Sequence, residues 1–465
     1  MNNRRPVKTL LSILSFSIIF YGAQAFAQPS SVPPGLLSAP PCLDPGRMPS
    51  QAKVPCAAIL QFSEGSTPEQ RIEKVKNHGA TMRFNYNHLP AAAVYVSDEE
   101  VLDRMLSDDE IENVIPDRVV SANGKPGTGG GGGSPAQVVP EGVKRIGAAP
   151  GTLPFNGAGV GVAVVDTGLD FAQTDLTISP TCFTAFSDCL DGDGHGTHVG
   201  GIMAAKDNTQ GVVGVAPAAT LYAVKVLNNQ GFGSDSSVMA GLDWIADHAN
   251  SVSPPIRVAN MSLGRDGTLN DNPLYRQAIQ TLTNAGITVV VAAGNDSSLE
   301  VADNVPATYP EVLAVASSTA KAGASQCRNF SGLIGADTAS FFTTDGAFDD
   351  ATGIGVTISA PGADQEDLKK NCFIQSVGIL SLKAGGGTVR MSGTSMASPH
   401  VAGVAALLVQ QSGGTIDPET VRSLIRNSAS RVGSAPLDSP TGGYSFDGER
   451  EGILSACGAL GVACP

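Results

Sequence analysis

The sequence lacks any uncharged apolar run of about 18 residues, the length a bilayer-spanning helix needs. It has no Cys-x-x-Cys pair and only six His among 465 residues, which removes the ligand spacing a zinc site would use. It also lacks positive charge: 29 Lys and Arg against 43 Asp and Glu leave a net −14. An acidic surface of that kind argues against a nucleic-acid partner. Its 55 glycines follow no three-residue period, so collagen is excluded, and 42% apolar content is too high for a disordered chain. What remains is a soluble, exported, globular protein without a membrane span, long enough for more than one folded unit.

Export is read from the start of the chain. Arg4, Arg5 and Lys8 precede a short apolar core, Leu10 to Tyr21, and two small-x-small sites follow at Ala23-Gln24-Ala25 and Ala25-Phe26-Ala27. Residues 1–27 therefore read as a signal peptide, and the mature protein as secreted or periplasmic. A membrane anchor is the rival reading, and the core is short for one. Eight Cys follow, an even number that points to disulfides in an exported chain. Four pairs allow 105 connectivities. Pairing neighbours along the chain gives Cys42–Cys56, Cys182–Cys189, Cys327–Cys372 and Cys457–Cys464.

Composition divides the rest. Residues 28–53 form a Pro- and Ser-rich leader, and 54–123 a small α+β unit. In that unit Ala57–Phe62, Ala92–Val96 and Asn113–Val120 read as strands. Thr67-Pro68-Glu69-Gln70 and Ser97-Asp98-Glu99-Glu100 read as capping boxes, with Ile72 and Val75 facing inward after the first. A Gly-rich linker spans 124–135. From 136 to 431 apolar strands alternate with helices. The strands are Val160–Val165, Thr220–Val226, Arg257–Met261, Thr288–Ala292 and Val312–Ala316. The helices are His195–Ala205, Ser234–Ala249, Pro273–Ala285, Ser395–Gln411 and Pro418–Arg426. Strands this apolar are buried on both faces, so the expected fold is α/β, doubly wound, with a mostly parallel sheet. Its working site belongs beyond the carboxyl ends of the strands. A tail with one disulfide occupies 432–465.

Three segments fall at such ends. Val162 to Gly168 ends a buried strand on Asp166; Asp193-Gly194-His195-Gly196-Thr197-His198-Val199 opens a helix; Gly393 to Gly403 opens another on Ser395. A serine hydroxyl becomes a useful nucleophile when a base takes its proton, and that base needs a buried carboxylate on its other nitrogen. Asp166, His195 and Ser395 supply those parts. Their order and surroundings resemble the subtilisin-like serine proteases, or subtilases, across about 136–430; that order is already an established template for the family. The resemblance implies that Asp166 orients, His195 is general base, Ser395 is nucleophile and His198 is a packing residue. It makes Asn295, in Ala292-Ala293-Gly294-Asn295, the oxyanion donor together with the Ser395 N–H. Read alone, Asn295 would be a turn residue. The substrate strand is implied to pair with Ser262-Leu263-Gly264 on one side, with Ala292, Ala293 and Gly294 as the other wall of the first pocket. Asp303 and Asn304 are expected at its floor. Asp296 or Asp303 would favour a basic side chain there, or else is solvated surface charge.

The same resemblance implies structural calcium, held by Gln137, Asp175 and Asn208 with backbone oxygens of Lys206, Gln210 and Val212. The bland alternative is that Asp175 and Asn208 cap loops. Phe84-Asn85-Tyr86 and Ile115-Pro116-Asp117-Arg118 look like parts of the inhibitory propeptide that precedes many subtilases. Such a unit would template folding of a slow-forming parallel sheet and then occupy the site, with Val119 to Asn123 in the substrate groove. First self-cleavage would fall near Ala122 or Asn123, with trimming toward Ala136. The expectation is a monomeric endopeptidase acting on protein or peptide substrates, with its own propeptide as inhibitor. Rivals are a non-catalytic binding protein on the same fold and the acid-active relative with Glu in place of His. A serine-directed phosphonate separates them, and catalysis should fall below about pH 6.5, where an unshifted imidazole is protonated.

Overall fold

The computed structural model describes residues 53–122, 124–126, 136–328, 332–430 and 452–464. The signal peptide, nearly all of the leader and most of the Gly-rich linker lie outside these residues.

The N-terminal unit contains β1 (Lys53–Phe62), α1 (Pro68–Asn77), β2 (Thr81–Asn85), β3 (Ala91–Tyr95), α2 (Glu99–Leu106) and β4 (Ile111–Ala122). Strand β1 runs antiparallel between β3 and β4. One face of this sheet packs Ala58, Leu60, Ala92 and Val94 against Val75, Val101 and Met105 of the two helices. Helix α1 starts with the expected capping box: Thr67 Oγ1 accepts the Gln70 N–H at 3.3 Å and Gln70 Oε1 accepts the Thr67 N–H at 2.8 Å. Three details depart from the sequence reading. Ile72 is 51% exposed, and Arg71 takes the inward place at 3%. Its guanidinium is held by Asn85 Oδ1 at 2.8 Å, Ser66 O at 2.7 Å and Tyr86 O at 2.6 Å. The cap of α2 is Asp98, not Ser97, because Asp98 Oδ1 accepts the Val101 N–H at 2.9 Å. Strand β2 went unnoticed, its residues being half-exposed and mixed in polarity.

After β5 (Lys125–Pro126) and the short α3 (Glu141–Arg145), the larger unit lays out a seven-stranded parallel sheet. Its strands are β6 (Gly161–Asp166), β7 (Phe183–Thr184), β8 (Thr220–Lys225), β10 (Ile256–Met261), β12 (Thr288–Ala292), β14 (Leu313–Thr319) and β15 (Ile358–Ala363), in the order β15-β14-β12-β10-β6-β8-β7. Between them come α4 (His195–Ala204), β9 (Phe232–Ser234), α5 (Asp235–His248), β11 (Leu263–Asp266), α6 (Pro273–Asn284) and β13 (Asn304–Val305). Successive side chains of a strand point to opposite faces. In β6, Val162 and Val164 join α4 and α7 in one core, while Ala163 and Val165 join α5 and α6 in the other. That is the doubly wound α/β fold the apolar strands imply. Strand β15 escaped notice because Ser359, Ala360, Pro361 and Gly362 carry little apolar signal; Pro361 is tolerated because β15 is the sheet edge. Hairpins β16 (Gln365–Leu368) with β17 (Ile374–Val377) and β18 (Ile379–Leu382) with β19 (Thr388–Ser392) precede α7 (Thr394–Gln411), α8 (Pro418–Asn427) and the short α9 (Ala456–Ala459).

Disulfides join Cys182–Cys189, Cys327–Cys372 and Cys457–Cys464, as neighbour pairing predicts. Cys42, the expected partner of Cys56, lies outside the described residues. The C-terminal tail is not an appendage: Leu454, Ala456, Ala459 and Leu460 are buried in the same core as α4 and α7.

Candidate active site

Asp166 closes β6 and is fully buried, and His195 is the first residue of α4, 3% exposed. His195 Nδ1 lies 2.7 Å from Asp166 Oδ1. The loop between them is tied by Asp191. Its Oδ1 accepts from Thr167 Oγ1 at 2.8 Å and the Gly194 N–H at 2.7 Å, and its Oδ2 accepts the Thr197 N–H at 2.7 Å. Lys225 Nζ adds bonds to the carbonyls of Thr167 and Leu190. Burial is the largest single influence on His195 and opposes protonation. The charge and hydrogen bond of Asp166, with the charges of Asp193 and Asp191, outweigh it and hold the imidazole above its ordinary value. His198, three residues on, is the reverse case. Burial pushes it down to about 3, and its Nε2 faces the Ile379 and Val389 carbonyls, so it packs.

Ser395 is the second residue of α7, where backbone N–H groups have no intrahelical acceptor. Its hydroxyl donates to the Ser262 carbonyl at 3.0 Å, and His195 Nε2 has no hydrogen-bond partner. Ser262 Oγ in turn donates to the Ser395 carbonyl at 3.0 Å. Asn295 follows β12 and the Ala293-Gly294 step. Its Oδ1 accepts the Thr394 N–H at 2.9 Å and Thr394 Oγ1 at 3.1 Å, which fixes the amide. Asn304 is buried beside Gly294, whereas Asp296 and Asp303 are exposed.

A strand already lies along this cleft. The end of β4 is antiparallel to β11, pairing Ser121 with Gly264 and Ala122 with Leu263, and to β9 on its other side, pairing Val120 with Gly233. The Ala122 N–H donates to the Gly231 carbonyl at 2.9 Å. Further on, Lys125 and Pro126 pair with Ser392 and Met391 of β19. Gly124 crosses directly over the imidazole: a Cβ added there would meet His195 Nε2 at 2.5 Å. Ala122 thus pairs at the cleft edge and Gly124 lies over the imidazole; Asn123 lies outside the described residues.

A second cluster gathers the other expected ligands. Gln137 Nε2 donates to the carbonyls of Lys206 at 2.7 Å and Val212 at 3.3 Å, and Asn208 Nδ2 donates to Asp175 Oδ1 at 2.6 Å. The Gln210 N–H donates to Asn208 Oδ1 at 2.7 Å. Asp175 Oδ2 is buried with no hydrogen-bond partner, and burial raises this carboxyl above its usual range, against the bonds that lower it. The ammonium of Lys206 is drawn off to the Thr174 carbonyl at 2.8 Å.

The subtilase family model matches residues 157–458, about two thirds of the chain. The chain belongs to the subtilases. An alkaline protease of Shouchella clausii is 34% identical over 394 residues, 82% of this chain and 87% of its own length. Subtilisin Savinase of Lederbergia lenta is 36% identical over 305 residues, 65% of this chain and 95% of its own. The solved structure of fervidolysin from Fervidobacterium pennivorans, a keratinolytic enzyme related to subtilisin, superposes with a TM-score of 0.64 at 22% identity. That match covers 92% of this chain, which spans 63% of the length of that one. This subtilase is thus a serine peptidase of the subtilisin fold. Sequence reasoning missed Asp191, Thr394 and the β9 edge. Asp191 was visible in Asp191-Gly192-Asp193-Gly194-His195, an acid run leading into the helix, but nothing in the run said which acid would tie the loop.

Proposed function

We propose that this subtilase is a secreted endopeptidase working through Asp166, His195 and Ser395, made as a zymogen that cuts itself. The observation carrying this reading is the 2.7 Å Asp166–His195 contact directly beneath a chain seated in the cleft. In the proposed reaction Ser395 Oγ turns from the Ser262 carbonyl and attacks the substrate carbonyl carbon while its proton passes to His195 Nε2. Asp166 keeps the tautomer and stabilises the imidazolium. The developing oxyanion takes hydrogen bonds from the Asn295 amide and the Ser395 N–H. The tetrahedral species collapses, His195 gives the proton to the leaving amine, and water then releases the acyl group by the same steps. Long contacts between nucleophile and base before reaction are common and do not rule out a base.

Residues 54–123 act as the inhibitor, with β4 held as the central strand between β9 and β11, as a substrate would be. Gly264, Leu263 and Ser262 form one edge, and Ala292, Ala293 and Gly294 a wall of the pocket beyond. The chain leaves on the other side along β19, so the bond cut first is the one between Asn123 and Gly124. The Gln137 cluster fits calcium: it gathers one carboxylate, two side-chain amides and backbone carbonyls, groups whose oxygens are the ligands that ion takes. The buried Asp175 oxygen without a partner supports that fit. Calcium would supply rigidity there, remote from the chemistry. Monomeric export through the N-terminal signal completes the proposal. Labelling by a serine-directed phosphonate tests it: the label should appear on the mature protein and be lost in Ser395→Ala. Persistent labelling of that variant would overturn the assignment.

A further inference from the structure

Helix α7 carries a proline in its interior, Pro399, four places after Ser395. A proline there has no N–H for the carbonyl four residues back, and its ring crowds that carbonyl. The carbonyl in question belongs to Ser395. It is met from outside the helix: Ser262 Oγ donates to it at 3.0 Å, while Ser395 Oγ donates to the Ser262 carbonyl at 3.0 Å. Two residues 133 places apart thus exchange hydrogen bonds in both directions. A serine hydroxyl has one proton and two lone pairs. The Ser262 proton is committed to the Ser395 carbonyl, Asn260 Nδ2 donates to Ser262 Oγ at 2.9 Å, and Ser398 Oγ, also at 2.9 Å, completes the set as a donor. Asn260, Ser262, Ser395 and Ser398 are all fully buried. With every site of the hydroxyl filled and solvent shut out, its direction is fixed.

We infer that the Ser262 side chain is a positioning group: it replaces the helix bond that Pro399 withholds, and so holds the turn bearing the nucleophile to the strand edge that seats the substrate. This rests on reading Ser395 as the nucleophile and β4 as a substrate-like strand. Asn260 lies near the end of β10, and Leu263 and Gly264, directly after Ser262, pair with Ala122 and Ser121. Slack in the first turn of α7 would move both Ser395 Oγ and the Ser395 N–H relative to that edge. A misplacement of about 1 Å in such a site can cost about 10²-fold in rate. The Ser262 hydroxyl is taken up by Ser395, Asn260 and Ser398, so its effect passes through Ser395. An N–H at residue 399 would meet the same carbonyl from within the helix. Joining it to Ser262 instead makes the place of the nucleophile depend on the sheet that lines the cleft.

The test uses the full-length chain, matured and counted by phosphonate titration, so that rates on an internally quenched peptide are per folded site. Ser262→Ala keeps the backbone carbonyl and deletes the hydroxyl; it should lower kcat about ten- to a hundredfold with KM within about threefold of wild type. A side chain that only stabilised the fold would lower the yield of titratable sites and the thermal midpoint, and leave kcat per site unchanged. The decisive arm restores the missing bond from inside the helix. Pro399→Ala gives residue 399 an N–H, so adding Ser262→Ala to it should cost at most about threefold in kcat. That arm also stands if Ser262→Ala alone yields no folded enzyme, because the double variant should then mature and titrate. An unchanged kcat in Ser262→Ala, or a loss as large in the Pro399→Ala background as in wild type, would overturn the inference. So would a double variant that fails to mature where Pro399→Ala alone succeeds. A wild type whose peptidase activity resists the phosphonate is a separate result, and it would overturn the reading of Ser395 as nucleophile together with this inference.

Discussion

Removing the side-chain donor of Asn295 is the sharpest perturbation the site offers. Its amide oxygen is held by two donors of one residue, the Thr394 N–H at 2.9 Å and Thr394 Oγ1 at 3.1 Å, so the amide nitrogen has one direction to face. A donor fixed before the reaction costs no reorganisation when charge develops. Losing one donor of this kind typically costs about 2.7–4 kcal/mol of transition-state stabilisation, a fall of about 10²–10³ in kcat. Asn295→Ala should show that fall with KM little changed, because the oxyanion exists only after attack. Thr394→Val keeps the N–H and deletes the hydroxyl, one neutral hydrogen bond worth about 1 kcal/mol, so it should cost roughly fivefold. Since Oγ1 also accepts the Gly294 N–H at 3.2 Å, some of that loss will appear as stability. The informative measurement is the double variant. If Thr394 acts on kcat by aiming the amide, adding Thr394→Val to Asn295→Ala should leave kcat unchanged. An Asn295→Ala enzyme within threefold of wild type in kcat, or additive losses in the pair, would refute the argument.

Other expectations follow from the same geometry. Ser395→Ala expressed alone should remain one uncut chain by intact mass, while the wild type should yield a new terminus at Gly124; a processed Ser395→Ala chain would refute self-cleavage. His195 must be neutral to act as base, and its proton affinity is raised in the fold, so the acid limb of kcat/KM should lie above the ordinary imidazole value of about 6.5. The sign for stability is opposite: a raised imidazole stabilises the fold below its unfolded value and loses that contribution as pH rises through the folded one. An acid limb at or below about 6.5 would contradict the balance of charges described here. Chelation should lower the thermal midpoint, since a ligand at a hundred times its Kd contributes about 2.7 kcal/mol. Asp175→Asn should remove most of that chelator sensitivity, and an Asp175→Asn protein that stays equally sensitive would place the ion elsewhere.

Legibility of the fold tracked the strength of local periodicity. Strands β6, β8, β10 and β12 are mostly apolar and buried along almost their whole length, the pattern of a parallel sheet covered on both faces. Strand β15, Ile-Ser-Ala-Pro-Gly-Ala, is equally buried but is specified by its neighbour β14 rather than by its own residues. Arg71 shows the complementary failure. A charged residue is assigned to the surface by composition, yet each of its three guanidinium nitrogens donates to Asn85, Ser66 or Tyr86, so burial is permitted and Ile72 takes solvent.

The site divides along the same line. Asp166, His195 and Ser395 each sit in a local motif, and their meeting was implied by family order, whereas the occupant of the cleft was fixed by contacts far apart in the chain. Val119 pairs with Ser234, and Asp117 Oδ1 accepts the Ser236 N–H at 2.9 Å while its Oδ2 takes Arg83 at 3.0 Å. No window of sequence contains both partners of any of these. The consequence is functional as well as methodological. A strand held by its own unit through β1 and by the enzyme through β9 and β11 cannot slide without breaking both ladders. Register is thereby set before any chemistry, and it is a glycine, Gly124, that lies over His195, where an added Cβ would meet Nε2 at 2.5 Å.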